Sequence, residues 1–301
     1  MGWRSVMISR PAKLRREHFS LAIEQEQTAF VPFEDIAVIV LNHREINLTH
    51  PVLSACAEYG IGLYATGQNH QPSGVFLPFL SHSRTTRLMR KQLDIGKPLA
   101  KQAWANIVRR KIENQGQCLH LSKRKGVDRM TSYANRVRSG DADNLEGQSA
   151  AFYFAQLFGQ GFYRADERWA NAALDYGYAV LRGAIARGLV AHGLHPPIGL
   201  FHASEQNAFN LADDLIEPFR PLVDLHVYKK NHAMTEGDLS PEDKAALVAL
   251  LNVDVAMPQG KMSALSAIEY SVESLARLYE QDDSNLDLPK LIGLHAHVLE
   301  C

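Results

Sequence analysis

The residues best suited to catalysis are one histidine and a group of carboxylates on separate segments of the chain. His202 precedes an acidic segment that carries Asp213, Asp214 and Glu217, and Glu146 lies far upstream. One imidazole and two or three carboxylates can together hold a hard divalent cation, because such cations prefer oxygen ligands and several of them also accept imidazole nitrogen. The pattern therefore predicts a metal-dependent site assembled from distant segments.

A helical wheel at about 100° per residue places the acids of this segment on one face. The apolar stripe consists of Leu211, Ala212, Leu215, Phe219 and Leu222. The acidic face on the other side consists of Asn210, Asp213, Asp214 and Glu217. Neighbouring like charges on a helix repel one another by about a few tenths of a kcal/mol per pair, so a cation or bulk water must compensate them. Taken alone, the acids fit a solvated face, His202 fits an ordinary hydrogen-bonded histidine, and Glu146 fits a first-turn acid that complements a helix dipole.

Several separated motifs together resemble one protein family. LEGQSAAFYFAQLF at 145–158 and NLADDLIEPFRPLVD at 210–224 flank the long segment RWANAALDYGYAVLRGAIARGLVAHGLHPPIGLFH at 168–202. Three further motifs precede them along the chain, in the order EDIAVIVL, LTHPVLSACAEYGIGLYA and HSRTTRLMRKQL. From these motifs the chain is identified as a member of the CRISPR-associated integrase-endonucleases, the larger subunit of the spacer-acquisition complex. DDLIEPFRP resembles the variety that accompanies RNA-guided effector nucleases, the type II systems.

The resemblance implies a role for each candidate residue. It places the metal ligands on Glu146, His202 and Glu217, and it makes Asp214 a further catalytic acid near the metal. Asp213 stays open as an alternative, because the wheel puts it as close to Glu217 as Asp214. The implied cofactor is Mg²⁺ or Mn²⁺, and an imidazole ligand favours Mn²⁺.

The resemblance also implies a reaction and a set of partners. In this family the 3′-hydroxyl of an incoming DNA fragment attacks a phosphodiester at the edge of a repeat, and the expected function is metal-dependent DNA integration during CRISPR adaptation. A stand-alone metal-dependent endonuclease that acts on branched or other nucleic acid is the alternative, and a non-catalytic DNA scaffold is disfavoured because the acidic site residues are all present. The implied partners are double-stranded DNA (incoming fragment and repeat array), a second copy in a homodimer, and a small ferredoxin-fold CRISPR-associated subunit.

The net charge of −1 conceals an uneven distribution. Residues 1–140 contain 21 Lys and Arg against 10 Asp and Glu, whereas residues 141–301 contain 11 against 23. Basic side chains neutralise phosphates, so the first half favours a nucleic-acid partner. The basic residues cluster at Arg84, Arg87, Arg90 and Lys91, at Arg109, Arg110 and Lys111, and at Lys123, Arg124 and Lys125. Arg84, Arg87 and Lys91 share one helix face and are the predicted DNA contacts, with a solvated face as the alternative for each cluster.

Hydrophobic periodicity predicts an α+β protein of two unlike domains. Residues 1–80 read as an N-terminal β-sandwich-like domain, with strands at 5–8, 18–23, 36–41 and 61–64, a helix at 51–59 and a loop at 67–74. Residues 81–301 read as an all-α catalytic domain with helices near 84–114, 144–159, 170–192, 207–230, 240–251 and 263–280. Pro218 lacks a backbone donor and is expected to bend or interrupt the helix beside Glu217. The family uses the first domain for dimerisation and for positioning DNA.

Composition excludes several other classes of protein. The 301 residues are 46% hydrophobic, which is enough for two ordinary cores. No stretch approaches 18 uninterrupted apolar residues, so no membrane association is expected, and the first residues lack the apolar core of a signal peptide, which predicts a cytoplasmic protein. Cys56, Cys118 and Cys301 are odd in number and lack CxxC spacing, so neither a disulfide framework nor a thiolate zinc site is expected.

Overall fold

The computed structural model describes residues 4–67, 72–78, 82–230, 237–281 and 285–297. Its first part consists of eight strands and one helix: β1 (Arg4–Ile8), β2 (Ala12–Glu17), β3 (Ser20–Glu24), β4 (Thr28–Pro32), β5 (Ile36–Leu41), β6 (Ile46–Leu48), α1 (His50–Glu58), β7 (Gly62–Thr66) and β8 (Pro72–Phe76). In the described residues these strands form two four-stranded sheets, ordered β1-β5-β7-β8 and β4-β3-β2-β6. β1, β5 and β7 run parallel, and β2, β3 and β4 form an antiparallel meander.

One apolar core lies between these two sheets. Ile39 and Leu63 from the first sheet, Leu14 and Leu21 from the second, and Val52 of α1 belong to the same buried cluster. β5 has the sequence IAVIVL and is buried along nearly its whole length, as expected of a strand that is covered on both faces. The β-sandwich-like prediction for this part of the chain therefore agrees with the structure.

The second part is dominated by helices. They are α2 (Thr85–Leu93), α3 (Lys97–Leu121), α4 (Val127–Arg136), α5 (Leu145–Phe158), α6 (Trp169–Ala191), α7 (Asn210–Leu215), α8 (Arg220–Lys230), α9 (Pro241–Ala249) and α10 (Ala264–Gln281). α6 is buried on almost every side, because its small residues permit close packing. A Cβ atom at Gly183 would approach the ring of Tyr64 to 2.3 Å, so glycine at this position lets α6 pack directly against β7.

The α+β class is confirmed, but the region after residue 81 is not entirely helical. Three further strands, β9 (Val253–Met257), β10 (Gly260–Ser263) and β11 (Lys290–Ala296), form a sheet with the order β10-β9-β11. β9 and β10 are short, and their sequences VDVAM and GKMS lie between helical segments, so their period-2 pattern was too brief to separate from the helical background.

Several element boundaries also differ from the sequence prediction. The helix predicted at 84–114 is two helices that are separated at residues 94–96, and α4 was not predicted. Part of the predicted loop at 67–74 is the edge strand β8, which begins with a proline as edge strands tolerate. Residues 68–71 of that loop lie outside the described residues, as do residues 79–81, where the predicted domain boundary falls.

The predicted interruption at Pro218 is present, because α7 ends at Leu215 and α8 begins at Arg220. In the described part of the chain, no helix combines the length and apolar character that a membrane crossing requires.

Candidate active site

Glu146 lies in the first turn of α5, and local hydrogen bonds fix the start of this helix. The Asp141 carboxylate accepts the backbone N–H groups of Leu145 and Glu146, each at 2.9 Å. The side chain of Asn144 caps the helix by accepting the N–H of Gly147 at 3.3 Å. These contacts satisfy helix N–H groups that have no partner inside the helix, and so they determine where Glu146 leaves the backbone.

Glu217 lies in the turn between α7 and α8, where it is buried. Asn114 of α3 holds this turn, because its Nδ2 donates to the carbonyl of Pro218 at 2.7 Å and to that of Pro289 at 2.9 Å. The Oδ1 atom of Asn114 accepts the N–H of Leu291 at 3.0 Å. A single buried amide therefore ties the turn that carries Glu217 to both α3 and β11.

Lys111, one helical turn before Asn114 on α3, joins the two glutamates. Its Nζ contacts Glu146 Oε1 and lies 2.5 Å from Glu217 Oε2. The Lys111 side chain is only 7% exposed, so Lys111 does not belong to a basic surface cluster with Arg109 and Arg110. The interpretation of that cluster as a group of phosphate-neutralising side chains is therefore wrong for Lys111.

The charges around Glu217 keep it ionised. Burial acts to raise the pKa of Glu217, but the positive charges of Arg220 and Lys111 outweigh it and hold the pKa below its ordinary value. Arg220 Nε lies 2.9 Å from Glu217 Oε1. Conversely, burial acts to lower the pKa of Lys111, and the carboxylates of Glu217 and Glu146 outweigh it and raise the pKa. Although Glu217 Oε2 is close to Lys111, it has no partner with hydrogen-bond geometry among the described residues.

Asp214 is fully buried and holds the loop that carries His202. Its Oδ2 accepts the backbone N–H groups of Leu200 at 2.6 Å and Phe201 at 3.2 Å. Its Oδ1 accepts the backbone N–H of His202 at 3.1 Å and lies 2.7 Å from His202 Nδ1. Both carboxylate oxygens are thus engaged in positioning, and the other imidazole nitrogen, Nε2, has no hydrogen-bond partner in the part of the chain that the structure describes.

The hydrogen bond with Asp214 also changes the acid–base behaviour of His202. It raises the pKa of His202 above the ordinary value, although partial burial of the ring acts in the opposite direction. Trp104 fixes the ring further, since it meets His202 edge-on at 5.8 Å and stacks on the exposed ring of Phe201 at 4.3 Å.

The structure separates the two neighbouring acids that the wheel left equivalent. Asp213 accepts a hydrogen bond from Asn207 at 2.7 Å and lies 3.9 Å from Arg182, whereas Asp214 contacts the His202 loop. The alternative of a solvated acidic face is wrong for Asp214 and Glu217, because both are buried.

The structure assembles the predicted ligand set in part. Glu146 and Glu217 meet on Lys111, and His202 is near enough for its charge to help lower the pKa of Glu217. Among the described residues, however, no group of three or more His, Cys, Asp and Glu side chains is arranged to hold a metal ion. The donors nevertheless fit Mg²⁺ or Mn²⁺. Two carboxylates both contact the Lys111 ammonium, the buried Glu217 Oε2 lacks hydrogen-bond geometry to this ion-pair partner, and a carboxylate orients the imidazole as in many metal sites.

Sequence reasoning missed several residues of this site. A pocket of about 230 Å³ is lined by Lys111, Gln115, Glu146, Ala150, Phe154, Arg164, Tyr178, Glu217, Arg220 and Asp224. Arg220 could have been found from its i,i+3 spacing to Glu217, and its guanidinium also lies 4.5 Å from the centre of the Tyr178 ring. Asp224 accepts hydrogen bonds from the hydroxyls of Tyr153, at 2.9 Å, and Tyr178.

Of the predicted DNA-contact residues, Arg87 and Lys91 lie on α2, and Arg84 is the residue just before it. Arg84, Arg87 and Lys91 are exposed, while Gln92 on the buried face of α2 donates to the carbonyl of His195 at 3.2 Å. Arg84 lies 3.3 Å from Glu280 of α10. The basic stripe is therefore accessible, and its helix is tied to the segment that precedes His202.

Comparison with protein families gives a match to the model described as "CRISPR associated protein Cas1" over residues 6–252. The chain is 41% identical to the CRISPR-associated endonuclease Cas1 of Neisseria meningitidis serogroup C (strain 8013), over all of both chains.

Two solved structures share the fold. A casposase bound to integration product superposes with a TM-score of 0.74 at 18% identity, covering 95% of this chain and 93% of the casposase. A Cas6-RT-Cas1–Cas2 complex gives a TM-score of 0.71 at 16% identity, covering 94% of this chain and 35% of the matched chain. At these identities the two structures support the fold alone.

Proposed function

The chain belongs to the family of CRISPR-associated Cas1 proteins, and from that premise we propose that it is a metal-dependent DNA integrase of CRISPR adaptation. It joins the 3′-hydroxyl ends of short foreign DNA fragments to the repeat of a CRISPR array. The observation that carries this proposal is that Glu146 and Glu217 both contact the Lys111 ammonium, close to a histidine that Asp214 orients. The site needs no protein nucleophile, because the DNA supplies the attacking hydroxyl.

Glu146, His202 and Glu217 would hold the divalent cation, Mg²⁺ or Mn²⁺. When bound, such a cation polarises a phosphoryl oxygen and makes a hydroxyl more acidic. Asp214 acts through His202 as a positioning residue, since its carboxylate fixes both the backbone and the ring of that histidine. Arg220 places a positive charge at the wall of the pocket, where it can attract a DNA phosphate.

The names of the similar proteins support the choice of substrate and partners. The casposase structure contains an integration product, and the second complex combines Cas1 with Cas2. By analogy, this chain binds double-stranded DNA as fragment and repeat array, pairs with a second copy as a homodimer, and works with a small ferredoxin-fold subunit in the cytoplasm. Residues 1–80 serve dimerisation and DNA positioning, residues 81–301 carry catalysis, and Arg84, Arg87 and Lys91 contact DNA.

Hydrolysis is the alternative chemistry, because the relative from Neisseria meningitidis is named an endonuclease. A stand-alone endonuclease that acts on branched or other nucleic acid would use the same residues, with water in place of the 3′-hydroxyl. The two activities therefore differ in the product and not in the site.

The decisive experiment offers the protein a DNA fragment with or without a nucleophile. A labelled fragment with a free 3′-hydroxyl, a supercoiled plasmid with repeats, Mn²⁺ and the small partner subunit should give label that is covalently joined to the plasmid. A fragment with a 3′-dideoxy end should not join. If both fragments give only nicked plasmid while the partner subunit is active, hydrolysis is the better account. Glu217→Gln should abolish joining, and Glu113→Gln, an exposed acid on α3, serves as the matched control.

A further inference from the structure

Lys111 brings three elements together at one ammonium group. It projects from α3, contacts Glu146 at the start of α5 and lies 2.5 Å from Glu217 in the turn before α8. Asn114, one turn further along α3, holds the Glu217 turn at a fixed distance from this helix. The position of the ammonium is therefore set by the same helix that positions one of the two carboxylates.

We propose that Lys111 is the resident counter-cation of the Glu146–Glu217 pair, which occupies the metal position in the metal-free protein and must leave it before a divalent cation binds. This inference rests on the proposed function, because it takes Glu146 and Glu217 as ligands of the divalent cation. It assigns to Lys111 the control of metal affinity.

The first argument is electrostatic. Glu217 is buried and Glu146 is partly buried, and two carboxylates that face one position strongly disfavour each other's charge. A buried charge without a partner is costly, so the pair needs a cation whenever the metal is absent. Lys111 supplies a positive charge at this position, and its side chain is almost completely buried.

The second argument is steric. A divalent cation of this class binds carboxylate oxygens at about 2.0–2.1 Å for Mg²⁺, which is closer than any ammonium contact. Lys111 Nζ already lies against an oxygen of each glutamate, so a divalent cation placed between the same two carboxylates would be close to the ammonium, would be repelled by it and would compete with it for these oxygens. The adjacent pocket of about 230 Å³, which Lys111 itself borders, gives the displaced side chain room to move.

The consequence is a lower apparent affinity for metal than the three ligands alone would give. If only a fraction of the molecules can bind the ligand at a site, the apparent dissociation constant equals the intrinsic one divided by that fraction. If Lys111 fills the site in about nine molecules out of ten, its removal should tighten metal binding about tenfold. The same removal should destabilise the metal-free protein, since Glu146 loses its counter-charge and Glu217 keeps only that of Arg220.

The first test measures Mn²⁺ binding to the full-length, metal-free protein without DNA, by electron paramagnetic resonance of free Mn²⁺. Lys111→Met should bind Mn²⁺ about tenfold more tightly than the wild-type protein. Lys111→Gln should behave like Lys111→Met, and Lys111→Arg, which keeps the charge, should retain the weaker affinity. Lys97→Met, an exposed lysine on the same helix, is the matched control and should leave the affinity unchanged.

The second test needs no metal. Chemical unfolding of the metal-free protein should show that Lys111→Met lowers stability, and that adding Glu217→Gln to it restores part of the loss. This coupling is a direct sign of a counter-ion, because neutralising the carboxylate removes the need for the ammonium.

The outcomes separate the two proposals. Equal Mn²⁺ affinities of folded wild-type, Lys111→Met and Lys111→Gln proteins would overturn the displacement of Lys111 while leaving the metal site intact. Additive effects of Lys111→Met and Glu217→Gln on stability would overturn the counter-ion role itself. Absence of Mn²⁺ binding in every variant would overturn the metal site of the proposed function, and the displacement step with it, whereas the coupling in the metal-free protein would still stand on its own.

Discussion

A single oxygen of Asp214 holds His202 in two places. Oδ1 accepts the backbone N–H of His202 at 3.1 Å and lies 2.7 Å from Nδ1 of its ring. Because the backbone and the imidazole are fixed by the same atom, the ring cannot rotate without losing one of these contacts. The arrangement leaves Nε2 as the nitrogen available to a metal and matches the carboxylate–histidine pairs that orient imidazole ligands around metals.

Asp214→Asn should disturb this arrangement strongly. An amide has one acceptor oxygen, so some of the donors from Leu200, Phe201 and His202 would face an N–H group instead of an oxygen. We expect the free energy of unfolding to fall by about 1–3 kcal/mol and the pKa of His202 to move down towards its ordinary value. Urea unfolding and NMR titration of His202 measure these effects. Asp213→Asn is the control, and equal effects of the two substitutions would contradict the positioning role.

The metal ligands should be separable from DNA binding. Glu146→Ala, His202→Ala and Glu217→Ala should each lower strand transfer at least about 100-fold, since even partners outside the ligand set commonly cost about 10–100-fold. Binding to duplex DNA should change little, because these residues are assigned to the metal and not to phosphates. Gel-shift and joining assays on the same preparations measure both properties. A His202→Ala protein with full turnover in Mg²⁺ would remove His202 from the site.

Asp224 should make the stability of the protein depend on pH. Burial raises its pKa to about 6, although hydrogen bonds from Tyr178 and Tyr153 act to lower it. A raised carboxyl pKa contributes stability that is fully present below the ordinary value near 3.8 and is lost as the pH rises through about 6. Between pH 4 and 7.5 the wild-type protein should therefore lose stability relative to Asp224→Asn, by about 2–3 kcal/mol.

Urea unfolding at closely spaced pH values measures this difference. Asp128→Asn, which removes an exposed acid on α4 that is remote in sequence from Asp224, supplies the control. A stability difference between wild type and Asp224→Asn that stays constant across the range would show that Asp224 does not titrate in this window.

The sequence was most informative where one local property decided the outcome. Pro218 removes a backbone donor, and the helix is interrupted there. β5 was predicted from its run of apolar and β-branched residues, and the strand is buried along nearly its whole length. The motifs around Glu146, His202 and Glu217 identified the family, because their sequences and their order along the chain can be read without knowing which residues are in contact.

Long-range contacts explain what the sequence did not reveal. Lys111 stands between Arg110 and Ile112 in a run that resembles a basic surface, and only its burial against Glu146 and Glu217 shows its role. The different roles of Asp213 and Asp214 depend on which loop each one meets, and a helical wheel contains no loops. For the same reason β11 was missed, because it pairs with β9 across the whole of α10.

The basic stripe on α2 should control the salt dependence of DNA binding. Each phosphate contact contributes about −0.9 to the slope of log K against log[salt], so replacing Arg87 and Lys91 by Ala should make the slope about two units shallower. Arg84→Ala should have a smaller effect, because Arg84 already lies 3.3 Å from Glu280 and must exchange that partner for a phosphate. Fluorescence anisotropy with duplex DNA over a range of salt concentrations measures the slopes. Arg138→Ala, an exposed arginine that pairs with Asp143, serves as the matched control. If the substitutions of Arg87 and Lys91 leave the slope unchanged, the stripe is a solvated face. The phosphate contacts then lie elsewhere in the basic first half of the chain.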